Sequence, residues 1–223
     1  IEHLNTELNE AARAKDEFLA LLGHELRNPL APIVTALELM KLRDTATVRE
    51  QAVIRRQVKH LTRLVDDLLD VSRITRGKVE LRKARASLRE VLGKAVEMAS
   101  SLIEQKKQHL RVDVEEIEWY GDPARLAQVV SNLLTNAARY TPENGNIALA
   151  AHVRGEEIVL EVSDDGIGIA PALLPHIFEA FVQGERKLDG SVGGLGIGLA
   201  LVRNLVELHD GQASAYSAGQ GQG

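Results

Sequence analysis

Apolar positions in the first third of the chain recur at helical spacing. At about 100° per residue, Phe18, Leu22, Leu26, Leu30 and Ile33 fall within about 120° of one another, and the rhythm runs on through Leu37 and Met40. Such a stripe marks a helix that buries one face. His24 falls nearly opposite its middle, on the exposed face, beside the carboxylate of Glu25. Pro29 and Pro32 stand inside the stripe. An interior proline costs roughly 3 kcal/mol, because it lacks an N–H and crowds the carbonyl four residues back. The stripe nevertheless keeps its phase across both, which predicts one bent helix with backbone strain beside the histidine. Upstream, Leu4, Leu8, Ala11, Phe18 and Leu22 form a short coiled-coil seam with Lys15 at the missing position. The chain opens in mid-helix at Ile1, so a further module is expected before it.

A turn at 43–47 precedes a second helix, with Thr47 as N-cap and Glu50 three residues on completing a capping box. Ile54, Val58, Leu61, Val65 and Leu68 again share one narrow face, and Arg76-Gly77-Lys78 ends the helix. Two antiparallel amphipathic helices cannot close a core alone. Pairing two such hairpins into a four-helix bundle, as a homodimer, is the economical solution.

Beyond residue 78 the period changes. Val79 to Arg82 and Leu110 to Val114 alternate like strands, with a helix from a Ser87 cap to about Lys107 between them. Asp122-Pro123 opens another helix, an N-cap followed by proline in the first turn. Ile147 to Val153 and Ile158 to Val162 are two strands joined by Arg154-Gly155-Glu156-Glu157, and a last helix runs from Gly198 to His209. Ala213 to Tyr216 reads as a strand whose expected partner does not follow; the Gly/Gln tail at 219–223 is low in complexity. Sequential, mostly antiparallel strands interleaved with helices predict an α+β two-layer sandwich with helices on one face. The expected division is therefore a helical hairpin at 1–76 and a sandwich domain at 77–223, the latter with its last strand truncated.

Composition narrows the function. There is no cysteine, which excludes disulfides and thiolate chemistry. The net charge of −5 and the seven aromatic residues argue against a nucleic-acid surface. No apolar run approaches the roughly 18 residues that cross a bilayer, so this stretch has no membrane contact to offer and a cytoplasmic location is the default expectation. The histidines other than His24 (His3, His60, His109, His152, His176, His209) show no metal-ligand spacing and read as surface or packing residues.

Three motifs carry chemistry. Asn132 and Asn136 lie one turn apart on one helical face. They could be solvated amides, but two carboxamides so placed can also hold a hydrated Mg²⁺ and orient phosphates. Asp164-Asp165-Gly166-Ile167-Gly168 follows a strand directly. It could be a plain turn, or an aspartate that accepts from an exocyclic amine, with glycines that let backbone approach a flat base. Gly190, Gly193, Gly194, Gly196 and Gly198 lead into the last helix. That loop could be a linker, or a set of amides offered to phosphate at a helix N-terminus; it matches neither the dinucleotide fingerprint nor the Walker pattern.

Taken in this order with His24, these motifs resemble the sensor histidine kinases of bacterial two-component systems over essentially the whole chain. His24 to Leu30 is similar to the family's H box, Asn132 to Asn136 to the N box and Asp164 to Gly168 to the G1 box. Phe178 to Phe181 is similar to the F box and Gly194 to Gly198 to the G2 box. The resemblance implies a dimerisation and phosphoacceptor hairpin, then an ATPase domain of the gyrase and Hsp90 type. It implies that His24 is the nucleophile toward ATP, that Glu25 is its general base, and that Asn28 positions water for dephosphorylation of a partner. Asn136 would ligate Mg²⁺, Asn132 and Arg139 would contact phosphate, Asp164 would read adenine, and Tyr140 would lie beside the ring. Gly166, Gly168, Gly194, Gly196 and Gly198 would complete the nucleotide site. The implied partners are a second copy of the chain, a response-regulator receiver domain whose aspartate takes the phosphoryl group, and an upstream sensor module.

Two departures from the family pattern stand out. Gln183 occupies the place after the F box where an arginine often reaches phosphate, with Arg186 or Lys187 as substitutes, and the final strand is missing. Residues 183–192 carry one strong apolar anchor, Leu188, and read as a nucleotide lid. Two other readings remain open: a scaffold or phosphatase of the same fold that does not autophosphorylate, and an ATPase that drives conformational change. The intact His24, Glu25, Asn136 and Asp164 weigh against the first. An exposed histidine on a dimerising hairpin weighs against the second.

Overall fold

A computed structural model describes residues 22–23, 26–42, 48–75, 80–182 and 196–223. Two compact units divide at Ser72 and Arg73. The first holds helix α1 (residues 26–42) and most of helix α2 (Val48–Thr75). The second holds strands β1 (Ala84–Ser87), β2 (His109–Val114), β3 (Glu118–Gly121), β4 (Asn146–Arg154) and β5 (Glu157–Asp164). Its helices are α3 (Leu88–Gln105), α4 (Pro123–Tyr140) and α5 (Gly198–Leu208), with a 3₁₀ turn at Leu174–His176. The expected coiled-coil seam before residue 22, the cap at Thr47 and the helix end at 76–78 lie outside the described residues.

Helix α1 is continuous through Pro29 and Pro32. Pro29 is fully buried and Ala36 nearly so, which helps offset the lost backbone bond. Part of the apolar stripe stays open within the chain. Leu30, Val34 and Leu37 on α1 and Val58, Val65 and Leu69 on α2 stay between 45% and 51% exposed. Leu30, Val58 and Val65 were expected to be buried; within one chain they are not.

In the second unit, β4 is the middle strand of a three-stranded sheet in the order β2-β4-β5, and β1 and β3 form a separate two-stranded ribbon. Along β4, Ile147, Leu149 and Ala151 are buried at alternate positions, as a strand with one covered face requires. Against them pack Leu88, Leu92 and Ala95 of α3 and Val130, Leu134 and Ala137 of α4 in one core cluster. Helix α4 also buries a second face: Val129 joins Leu201, Val202 and Leu205 of α5, with Leu133 and Phe178 packed alongside.

Several expectations are corrected. The ladder between β2 and β4 is parallel, His109 opposite Asn146, with α4 in the crossover; β4–β5 and β1–β3 are antiparallel. The first strand is at 84–87, and residues 80–82 of the expected 79–82 form none; there the Arg82 N–H donates instead to Asp122 Oδ2 at 2.9 Å, and Val79 lies outside the described residues. The β3 strand was not foreseen. Ser87 does precede α3, yet its hydroxyl makes no capping bond; the first helical N–H, of Leu88, donates instead to Ile117 O at 2.9 Å. Residues 212–218 form no strand. The tail at 219–223, read as low complexity, bonds to the loop after β5: Gly221 N donates to Ile167 O at 2.7 Å and Gly223 N to Gly166 O at 3.2 Å.

Asp122 does cap α4. Its Oδ1 accepts from the N–H groups of Ala124 and Arg125, each at 3.1 Å, and its own N–H donates to His209 Nε2 at 3.0 Å. His209 Nδ1 stands 2.7 Å from Leu205 O, so this nitrogen carries the ring proton. The ring also lies 5.3 Å from the Trp119 indole, centroid to centroid, which makes His209 a packing residue that ties α5 to the start of α4. Replacing Asp122 by alanine strands three backbone N–H groups at a buried position. Asp122→Ala is expected to lower the unfolding free energy by about 2 kcal/mol, read as the midpoint of urea denaturation. A loss below about 0.5 kcal/mol would show that water or the chain replaces the carboxylate.

Candidate functional site

The site is assembled at the C-terminal end of α4 and the loop that leaves β5. Helix α4 ends where Pro142 cannot continue it, with Thr141 as the C-cap. Beside it, β5 delivers Asp164 to the end of the sheet. Thr141 Oγ1 donates to Asp164 Oδ1 at 3.3 Å, and Gly166 N donates to the same oxygen at 3.0 Å. Asp164 Oδ2 has no partner among the described residues, so one carboxylate oxygen is left to accept a ligand amine.

The second aspartate of the motif is held differently. Asp165 Oδ1 accepts from Asn146 N at 2.8 Å and Oδ2 from Asn146 Nδ2 at 2.6 Å. Those bonds, the side-chain one foremost, hold its carboxyl below the usual carboxylate range. Two adjacent carboxylates thus divide their work: Asp165 closes the turn and Asp164 stays available.

Glycine is required at 166. A Cβ there would lie 2.7 Å from Tyr140 O, and that carbonyl accepts from Ile167 N at 3.2 Å. Gly168 has φ +66°, a left-handed backbone that favours glycine, and a Cβ would collide with Gly219 O. Ser217 supports the same loop by accepting from Ile169 N at 2.9 Å.

On α4, Asn132, Asn136 and Arg139 are half-buried, while Tyr140 is 46% exposed. Asn132 Nδ2 is buried without a hydrogen-bond partner, a donor for which the described residues supply no acceptor. A buried unpaired amide costs about 1–3 kcal/mol, and an anionic oxygen placed beside it would remove that cost. Gly196 and Gly198 stand at the start of α5, where Gly196 O accepts from Phe181 N at 2.9 Å, joining the two sides of the 183–195 segment. A cavity of about 380 Å³ at the same end of the sheet is lined by His109, Arg111, Asn146, Ser163, Asp164 and Asp165 among others; only Asp164 is common to it and the expected site.

The structure therefore brings Tyr140, Asp164, Gly166 and Gly168 together directly, and sets Gly196 just before, and Gly198 at the start of, the helix that packs against α4. His24, Glu25, Gly194, Gln183, Arg186, Lys187 and the 183–192 lid lie outside the described residues. Asn28 is exposed on α1, in the other unit. Thr141, Asn146 and Ser217 support the site and were missed in the sequence. Thr141-Pro142 did carry a helix-stop signal, but nothing local links it to Asp164.

The His Kinase A (phospho-acceptor) domain matches residues 14–77. The histidine kinase-, DNA gyrase B- and HSP90-like ATPase matches residues 121–223. Among curated proteins, an autoinducer 2 sensor kinase/phosphatase, LuxQ of Vibrio parahaemolyticus, is 33% identical over 97% of this chain and 26% of its own length. The chain thus spans about a quarter of that relative. Among solved structures, the Acinetobacter baumannii histidine kinase AdeS superposes with a TM-score of 0.66 at 24% identity, over 88% of this chain and 92% of that one. Full-length ShkA in complex with AMPPNP gives 0.62 at 30% identity, over 92% of this chain and 43% of that one. A phosphoacceptor hairpin followed by an ATPase sandwich, matched in that order, places this chain among the sensor histidine kinases of two-component systems as their catalytic core.

Proposed function

We propose that the chain is an ATP-dependent histidine autokinase, organised as a dimerisation and phosphoacceptor domain at 1–76 and an ATP-binding domain at 77–223. His24 accepts the γ-phosphoryl group of ATP and passes it to an aspartate of a response-regulator receiver domain. The observation that carries the nucleotide half is the Asp164 carboxylate, held through Oδ1 by Thr141 and Gly166 with Oδ2 open. That arrangement suits the exocyclic amine of adenine, with Tyr140, the residue before Thr141, half exposed and Gly166 admitting close approach.

The phosphate half rests on α4 and the glycines. The orphaned Asn132 amide and the Arg139 guanidinium bind phosphate oxygens, as do the amides around Gly194, Gly196 and Gly198. Asn136 is the residue that would hold Mg²⁺, which when bound would supply charge neutralisation at the phosphates; such an ion needs few protein ligands, and among the described residues no group of three or more acidic or histidine side chains is placed to hold a metal. Phosphoryl transfer depends mainly on positioning and charge neutralisation, so the chain's own task is to orient the His24 ring and take up its proton, which falls to Glu25.

The half-exposed apolar residues of α1 and α2 support a homodimer through the hairpin, because a second hairpin would cover both rows at once. Phosphatase activity toward the receiver is a second reading, favoured by the exposed amide of Asn28, one helical turn of sequence beyond His24. No helix among the described residues is long and apolar enough to cross a membrane. The reading places this core in the cytoplasm under the control of an upstream sensor module.

Three outcomes are expected. His24→Gln abolishes incorporation from γ-labelled ATP while nucleotide affinity stays within about twofold, and the wild-type label is acid-labile; equal labelling of the mutant overturns the assignment. Asp164→Asn weakens nucleotide binding by about tenfold or more in calorimetry, and Asn136→Asp alters the Mg²⁺ dependence of transfer; unchanged affinity in the Asp164 variant removes the adenine contact. Leu37→Glu puts a charge into the row left open on α1 and converts a dimer to monomers in light scattering; a dimer that survives it at micromolar concentration means the interface lies elsewhere.

A further inference from the structure

A helix that stops at a proline leaves particular carbonyls without donors. In α4 the residue that would bond Ala138 O is Pro142, which has no N–H. The carbonyls of Arg139 and Thr141 at the same helix end also lack a helical donor. All three are satisfied from outside the helix, by the turn between α3 and β2. Lys106 Nζ donates to Ala138 O at 2.9 Å, Arg139 O at 2.7 Å and Thr141 O at 2.9 Å, which uses all three ammonium protons. Gln108 Nε2 lies 3.0 Å from Ala138 O, 2.8 Å from Thr141 O and 3.1 Å from Pro142 O.

The turn is shaped for this grip. Lys106 is the C-cap of α3, and Lys107 takes φ 52°, the left-handed conformation that reverses the chain. The Lys106 carbonyl in turn accepts from Asn144 N at 3.0 Å, and His109 N donates to Gly145 O at 2.9 Å. Gln108 is 7% exposed and its Oε1 is buried with no partner. Its amide is therefore oriented by what the carbonyls need, at the expense of its own oxygen. Lys106 is held below the usual lysine range by burial and by the Arg139 guanidinium, with Glu143 opposing. An ammonium kept in place against both effects is there for its donors.

Of the carbonyls from 138 to 142, only that of Tyr140 is left by this grip, and it is the one that takes Ile167 N of the glycine loop. Thr141, held through its carbonyl, presents its hydroxyl to Asp164. We infer that Lys106 and Gln108 are positioning residues of the nucleotide site: by supplying the donors that Pro142 cannot, they set the α4 terminus, and through Tyr140 and Thr141 they set Asp164 and its loop. Neither side chain touches nucleotide in this assignment. The inference deepens the ATP-binding reading and rests on it.

The test compares Lys106→Met, which keeps the aliphatic stem and removes the donors, with Lys106→Arg, Gln108→Met, Asp164→Asn and Val91→Ala, a truncation of a buried core residue of α3, all in the full 223-residue chain. AMPPNP with Mg²⁺ is titrated calorimetrically well below each melting temperature. Lys106→Met is expected to weaken binding about tenfold, the scale of losing hydrogen bonds to a charged donor. In autophosphorylation its KM for ATP rises by more than kcat falls. Lys106→Arg retains donors and stays within about threefold of wild type. Val91→Ala, destabilised away from the site, melts lower with unchanged affinity. Should Lys106→Met fail to fold, Gln108→Met is read instead, with a loss of about threefold expected. A Lys106→Met chain, or in its place a Gln108→Met chain, that melts lower but binds AMPPNP like wild type overturns the inference and leaves a purely structural cap. If Asp164→Asn weakens binding in that same experiment, the nucleotide reading survives alone. If wild type does not bind AMPPNP, or Asp164→Asn binds it equally, the reading and the inference fall together.

Discussion

Helix α4 is constrained on every side, and the rest of the second unit is arranged by that constraint. One of its faces is buried against α3 and the sheet and another against α5. A helix packed on two faces cannot rotate without opening one core or the other, since interiors are close-packed. Its ends are fixed as well: Asp122 gathers the first N–H groups, and side chains from another turn satisfy the last carbonyls. The two asparagines thus sit on a rod whose rotation and axial position are both determined. For chemistry that depends on where charges are placed, such a rod is a better carrier than a loop.

Much of this was legible where the cause is local. Asp122-Pro123 announces a helix start because the capping bonds are made within three residues, and the helical phase of Asn132 and Asn136 follows from the period alone. Asp164 was legible because a strand must end before the glycines. The failures share a different cause. At the expected place of the first strand the Arg82 N–H answers to a carboxylate 40 residues away, and β1 lies a few residues beyond. The four residues of β3 are too few to show a period. The parallel register of β2 with β4 is set by how α4 lies across the sheet, which no alternation within either strand can report. Lys106 and Gln108 were not singled out in the sequence, because the carbonyls that need them are 30 to 35 residues further on.

The helical unit shows the same limit from the other side. Periodicity marked the apolar positions of α1 and α2 but could not tell which of them one chain covers. Pro29 and Ala36 lie on the covered part, while Leu30, Val34 and Leu37 are left half open. These half-open apolar positions are the surface on which the proposed homodimer rests.

The parallel pairing of β2 and β4 carries a consequence for how the domain forms. Antiparallel neighbours such as β4 and β5 can zip outward from a two-residue turn, but His109 and Asn146 meet only after the whole intervening chain, α4 included, has found its course. Long-range pairing of this kind demands its loop-closure entropy before any ladder bond is made. The β2–β4 ladder reaches Asp164 and Asp165 at the one end of the sheet where β2 and β5 both border the start of β4. A molecule bound beside Asp164 would touch segments that are far apart in sequence and are joined there by the sheet.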